Sequence, residues 1–233
     1  MNILALDTAT DACSVAVMKG QNRFSRRSVV PQAHTKIILD LCDELLAESG
    51  LSRQELDLIV CGRGPGSFTG VRIGVAVAQG LAFGLGIKAL GVSDLQALAQ
   101  STVREGVRRI LVANDARMSE VYFCVYENCD GIARPLTQEQ VAPPQQAADL
   151  FRQYYEDQGT VLIGSGFASY EPLKEFSSAT GEYEAEQYPD ALYMLDLALD
   201  SAELAVEPEQ LLPVYLRDQV TWKKVSEQGK APK

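Results

Sequence analysis

The chain has 233 residues, 46% of them hydrophobic and 22% charged, which fits a soluble globular protein of one large or two small domains. Its 31 acidic residues against 21 basic ones give a formal charge of −10, which excludes a protein that grips nucleic acid unaided, because such binding relies on Lys and Arg to neutralise phosphates. The opening Met1–Asp7 has no basic stretch and meets a charge early, unlike a secretory signal, and five cysteines without a Cys-x-x-Cys pair read as small buried hydrophobes in a reducing cytoplasm.

In chain order, Ile3–Asp7 reads as a buried strand. Cys13, Val15 and Val17 alternate with smaller residues as a second strand, and the turn Lys19–Asn22 leads to a third near Phe24–Val30. A helix is expected over 32–49, where Ile37, Ile38, Leu41, Cys42, Leu45 and Leu46 form one wide apolar stripe and Gly50 supplies the C-terminal cap. Ser52 and Glu55 match a capping box around a short turn. A strand near Asp57–Cys61 then enters the loop Cys61-Gly-Arg-Gly-Pro-Gly-Ser-Phe-Thr-Gly70, which launches a helix over 69–85. The apolar run Ile73–Ile87 is shorter than the about twenty residues that span a bilayer, so a buried helix is expected and no membrane contact. A strand at Ile87–Gly91 and a helix capped by Ser93 complete a βββαβαβα order, that of an RNase H-like layer.

The second half starts the same way. Ile110-Leu-Val-Ala-Asn-Asp115-Ala echoes Ile3-Leu-Ala-Leu-Asp7-Thr-Ala, each an apolar strand that ends in an aspartate. A strand at Val121–Glu127, a turn at Asn128–Gly131, helices near Pro144–Glu156 and Asp190–Ala202, and a strand at Val161–Gly164 follow. Two lobes are therefore expected, over 1–104 and 105–217. A tail over 218–233 is expected to be ordered to about Lys224 and disordered beyond Val225.

The glycine loop does not match a nucleotide motif. No lysine follows Gly70, as a P-loop requires, and no acidic residue lies between 63 and 93, where a dinucleotide fingerprint would place one. Packing has positive support: Gly70, Gly74, Ala78, Ala82 and Gly86 recur every four residues, with Ala76, Gly80 and Gly84 on another face. Such flattened faces suit close approach by a helix of the same core or of another chain, and periodicity leaves both open. Asp7 and Asp115 read either as capped strand ends or as carboxylates that position a metal–nucleotide. Asp7 precedes Thr8-Ala-Thr10 and not glycine, which weakens a phosphate loop. His34 is the only histidine and has Ile38 four residues on, so it is half of no metal pair and reads as a surface or interface residue. No metal site of zinc type is expected, and a carboxylate Mg²⁺ site stays open. Arg217, Trp222, Lys223 and Lys224 read as a solvated tail that could touch RNA or a partner.

Five segments carry a resemblance: Leu4–Thr10, Gly62–Gly74, Gln79–Ala82, Asp115-Ala-Arg117 with Glu120-Val-Tyr122, and Pro213–Arg217. Together they resemble the bacterial TsaB (YeaZ) family along essentially the whole chain, and through its first half the sequence is similar to the paralogous TsaD (Kae1/Gcp) enzymes. The resemblance implies an α/β ASKHA fold (actin, sugar kinase, Hsp70) of two RNase H-like lobes. It also implies a cytoplasmic role in placing threonylcarbamoyl on N6 of the adenosine beside the anticodon of tRNAs that read A-starting codons. TsaD-like enzymes carry a His-x-x-x-His pair where this chain has Asp94 and Leu98, and Leu98 cannot coordinate a metal. Their glycine-rich phosphate turn is replaced by Asp115-Ala-Arg117, and Gly164-Ser-Gly166 reads as a remnant of an adenosine loop.

The resemblance thus implies a non-catalytic scaffold without a cofactor of its own. ATP and metal belong to its partners, a TsaD-like catalytic subunit and a TsaE-like ATPase, tRNA is reached through the complex, and the chain alone forms a homodimer. The expected interface comprises His34, Ile38, Leu41, Leu45, Gly74, Ala78, Leu81 and Ala82, and the expected residual nucleotide site comprises Asp7, Asp115, Gly164 and Gly166. An active ASKHA phosphotransferase using Asp7 and Asp115 is the enzymatic alternative. A peptidase, which the single histidine disfavours, comes last.

Overall fold

Alternation along the first strands decides which face of the sheet each helix covers. In β1 (Asn2–Asp7) and β2 (Ala12–Lys19), Leu4, Leu6, Cys13, Val15 and Val17 pack with α1 (His34–Ser49) and α2 (Phe68–Leu85). On the opposite face Ile3, Ala5, Ala16 and Met18 pack with α7 (Ala191–Asp200). The computed structural model describes residues 1–30, 33–180, 183–184 and 188–217.

The first sheet runs β3-β2-β1-β4-β5, with β3 at Asn22–Val29, β4 at Leu58–Gly62 and β5 at Lys88–Val92. β1 to β3 pair antiparallel, while β4 and β5 continue parallel to β1. The second sheet is its counterpart, ordered β8-β7-β6-β10-β11. Its strands are β6 (Arg109–Asp115), β7 (Val121–Cys129), β8 (Ile132–Pro135), β10 (Thr160–Ile163) and β11 (Tyr183–Glu184), and β9 (Gln140–Ala142) adds to β7. Antiparallel β6–β7–β8 and parallel β6–β10–β11 repeat the pairing of the first sheet, giving the two RNase H-like lobes of the ASKHA fold.

The expected caps hold. Gly50 closes α1 at φ 60°, Ser52 and Glu55 form their capping box, and Ser93 Oγ accepts the Gln96 N–H of α3 (Asp94–Gln100). In the second half, α4 (Pro144–Tyr154) and α7 lie where periodicity predicts them, whereas β8, β9, α5 (Gly166–Ser169), α6 (Glu171–Thr180) and β11 were not predicted. They are too short, or too irregular in apolar spacing, to give a periodic signal.

The two sheets divide at the expected boundary, and the helices cross it. α3 precedes it yet packs Leu95, Leu98 and Ala99 against Ile110, Val112 and Tyr126 of the second sheet. α7 follows it yet covers the first sheet. The layers are thus α1/α2, first sheet, α7/α3, second sheet and α4/α6, and each lobe lends the other a covering helix. A strap after α7 returns to the first lobe: Val206 exchanges backbone hydrogen bonds with Ala89 at 2.9 Å, and the Val214 N–H donates to Arg63 O at 2.7 Å. The expected tail over 218–233, with Trp222, Lys223 and Lys224, lies outside the described residues.

Candidate functional site

The glycine loop closes onto its own lobe. A Cβ added at Gly66, Gly70 or Gly74 would stand 2.5 Å from Ala9 O, 2.1 Å from Thr8 O or 2.8 Å from Thr8 Oγ1, so the missing side chains let α2 rest on the β1–β2 turn. The Ser67 N–H donates to Ala9 O at 2.7 Å, and the Thr8 hydroxyl donates to Gly70 O at 2.7 Å. These are the contacts of a close-packed turn, with chain atoms where a cradled phosphate would sit.

Asp7 ends β1 with no exposed surface, so its carboxyl does not face a cleft as a nucleotide site requires. Its Oδ1 accepts the Ala9 N–H at 3.0 Å, and its carboxyl converges with that of Asp94, at the start of α3, on the space beside Gly62. Asp94 is 1% exposed, and its Oδ2 accepts the Gly64 N–H. Burial, then the charge of Asp7, drives the Asp94 carboxyl well above the ordinary range; burial also raises Asp7. Nearby Cys61 has a thiol raised first by burial and then by Asp94. Of the expected buried cysteines, Cys13, Cys42, Cys61 and Cys124 are buried, and Cys129 is half-buried.

The second lobe builds its strand end differently. Asp115 Oδ1 accepts the Tyr170 hydroxyl at 2.7 Å and the Arg117 N–H at 2.8 Å. The turn beyond it holds Arg117, Met118 and Ser119 at φ 62°, 55° and 60°, three successive left-handed residues without a glycine. Arg217 of the strap braces this turn, donating to Glu120 Oε2 at 3.1 Å and to Ala116 O at 3.3 Å, and is not part of a solvated tail. Gly164 and Gly166 press on β6: a Cβ there would lie 2.3 Å and 2.8 Å from Ala113 O. Among the described residues no hydrogen bond or ion pair joins Asp7 to Asp115; the Asp115 N–H donates to Ser165 Oγ at 3.0 Å, between Gly164 and Gly166.

The expected interface also needs correction. His34 is 7% exposed and its Nε2 meets Thr10 O at 2.8 Å, so it holds α1 against the β1–β2 turn and is not a surface residue. Ile38, Leu41, Leu45, Ala78 and Ala82 lie in the core over the first sheet, and Gly74 is buried with them. Of the eight, only Leu81 is partly exposed, at the rim of a groove of about 240 Å³ between α1 and α2 that Leu39, Leu46 and Leu85 also line. Beyond Arg72 the solvent side of α2 carries the exposed Ala76, Gly80, Phe83 and Gly84, all apolar and with Phe83 78% exposed, while Ile73 is half-buried and Val77 packs against the core. By length and composition alone α2 could cross a membrane, but its buried edge seats it on the sheet.

A family model described as TsaD, tRNA N6-adenosine threonylcarbamoyltransferase, matches residues 25–187. The Haemophilus influenzae tRNA threonylcarbamoyladenosine biosynthesis protein TsaB is 39% identical over 236 residues, covering 97% of each chain. Its Escherichia coli K12 counterpart is 38% identical over 231 residues, covering 97% of this chain and 98% of that one. Among solved structures, YeaZ from Pseudomonas aeruginosa aligns with a TM-score of 0.80 at 38% identity, over 92% of this chain and 100% of that one. A second, described as an uncharacterized protein with similarity to peptidase YEAZ from Pseudomonas aeruginosa, aligns with a TM-score of 0.83 at 39% identity, over 93% and 99%.

Proposed function

Because the chain belongs to the TsaB (YeaZ) family of tRNA threonylcarbamoyladenosine biosynthesis proteins, we propose that it is a non-catalytic subunit that binds and supports a TsaD-like transferase. The observation that carries this reading is the solvent side of α2. From Ile73 to Ile87 no side chain is charged, Ala76, Gly80, Phe83 and Gly84 are exposed, and Leu39 of α1, 51% exposed, lines a groove with Leu81 and Leu85 of α2. An apolar face of this kind, unpartnered within the chain, marks an interaction surface. The match to the TsaD family over 25–187 spans α1 and α2, so a TsaD-like chain would present a similar helix pair, and two such pairs pack as a bundle.

The site chemistry supports the absence of a reaction of its own. Asp7 is sealed, Leu98 fills the second position of the paralogue's histidine pair with a buried aliphatic side chain, and the glycine loop is closed on Thr8 and Ala9. ATP and metal then belong to the TsaD-like enzyme and a TsaE-like ATPase, and tRNA is met through the complex in the cytoplasm. Without its partner the same face pairs with a second copy.

The test is co-purification. Ala76→Asp and Gly84→Arg change the solvent side of α2, where Ala76 is exposed and a Cβ at Gly84 meets nothing within 4 Å, so the fold should tolerate the change. Each variant should lose the TsaD-like protein and lower threonylcarbamoyladenosine in tRNA from cells that carry it alone, with an unchanged melting curve. Substituting Gly74 or Ala78 would not test the interface, because both lie in the chain's own core. Full retention of the partner by both variants, or ATP turnover by the isolated chain, overturns the reading.

A further inference from the structure

Asp7 and Asp94 are two buried carboxyl groups with too few donors between them. One oxygen of each is satisfied by a backbone N–H: Asp7 Oδ1 by Ala9 and Asp94 Oδ2 by Gly64. The other two, Asp7 Oδ2 and Asp94 Oδ1, are buried and meet no donor from the described residues. The groups converge on one small space, since a Cβ placed on Gly62 would lie 2.3 Å from Asp94 Oδ1 and 2.5 Å from Asp7 Oδ1. Two ionised carboxylates cannot share such a site, whereas one proton between them makes a donor where there was none.

The surroundings add negative charge. Asp190, beside the start of α7, acts on Asp7, and Glu139, between β8 and β9, acts on Asp94. The thiols of Cys13 in β2 and Cys61 in β4 stay neutral, that of Cys13 pushed up to about 12 by burial and then by Asp7. Arg63, in the glycine loop, is exposed, and Arg27 of β3 lies 3.6 Å from Asp190.

We propose that Asp7 and Asp94 share one proton in the folded protein at neutral pH, and that this proton latches the end of β1 and the glycine loop to α3. The latch has backbone on both sides: the Asp94 N–H donates to Gly64 O at 3.1 Å while the Gly64 N–H returns a bond to the Asp94 carboxyl. α3 carries the inner face of the second sheet, so the proton ties the loop of one lobe to the helix that covers the other. Where the paralogous enzymes place a metal-binding histidine, this chain holds its helix with a shared hydrogen.

The sign follows from linkage. In the unfolded chain both carboxyls ionise near about pH 4, whereas the folded pair keeps a proton. The stabilisation is present in full below that pH and is lost as pH rises through the raised value of the pair. Denaturant unfolding of the full chain from about pH 5 to about pH 7 should show the folding equilibrium constant falling about tenfold per pH unit more steeply in the wild type than in Asp94→Asn, whose amide donates without titrating. Infrared spectra at neutral pH should show a protonated-carboxyl C=O band in the wild type that is absent from Asp94→Asn and Asp7→Asn. If neither variant folds, loss of that band from the wild type at alkaline pH decides the matter. Equal pH slopes, no such band, or stabilisation of the wild type by magnesium chloride that Asp94→Asn lacks would each overturn the proposal, the last by making the site one for a cation.

Discussion

Asp7 and Asp115 end equivalent strands, and the neighbouring parallel strand of each closes on a glycine, Gly62 as the last residue of β1's partner β4 and Gly164 just after β6's partner β10. The space beside Gly62 is filled by the carboxyls of Asp7 and Asp94, whereas that beside Gly164 is filled by Ala113 O and Asn114 Oδ1. Asp7 is sealed and meets a second acid; the Asp115 side chain is 21% exposed and meets a phenol and the Arg117 guanidinium, 3.4 Å away. Topology therefore decides where a carboxylate comes to lie, and the helix packed above it decides what that carboxylate does. In the first lobe α3 shuts the strand end. In the second, Tyr170, a left-handed turn and the strap leave it part-exposed.

The largest expected effect separates the two glycines. Gly164→Ala combines φ 116° with a clash against backbone at 2.3 Å and should cost about 4 kcal/mol in denaturant unfolding, whereas Gly62→Ala displaces side-chain ends and should cost about 2 kcal/mol. Equal costs would break the contrast between a strand end closed by backbone and one closed by side chains. Next come the aspartates. Asp7→Ala leaves a buried Ala9 N–H and deprives Asp94 of its neighbouring carboxyl and should cost about 2 kcal/mol, against about 1 kcal/mol for the more exposed Asp115→Ala. Matching melts for these two variants would mean that burial does not set their difference.

The smallest effect sharpens the second lobe alone. Desolvation, then the hydrogen bond to Asp115, pushes the Tyr170 phenol up to about 12. Its contribution is present below about pH 10 and is lost as pH climbs through the raised value. Residue-resolved NMR titration should find Tyr170 nearer to an ordinary tyrosine in Asp115→Asn.

Local signals in the chain were read well. The alternation of Cys13, Val15 and Val17, the stripe of α1, the caps at Gly50, Ser52 and Ser93, and the echo between Ile3–Asp7 and Ile110–Asp115 each concern residues close in sequence, and the structure bears them out. What a period cannot say is who the neighbour is. Small residues at 70, 74, 78 and 82 announce a close approach, and the approach is to Thr8 and the first sheet, which leaves the solvent side to the set at 76, 80 and 84. His34 reads as a surface residue until the β1–β2 turn is folded against it. Asp94 reads as a lost metal ligand, and its partnership with Asp7 crosses most of the first lobe. Gly62 was the available signal, a residue without a side chain facing the end of β1 across a parallel pair. The exchange of α3 and α7 leaves no local trace at all.

That exchange bears on how the protein is made. Synthesis delivers the amino-terminal lobe first. Until α7 leaves the ribosome, Ile3, Ala5, Ala16 and Met18 have no helix to cover them, and the first sheet waits as a half-built layer. α3, released early, holds Leu95 and Leu98 ready for strands not yet translated. The nascent chain thus keeps sticky surface in view until α7 emerges, and the first sheet is covered only when α7 docks and Val214 reaches the carbonyl of Arg63.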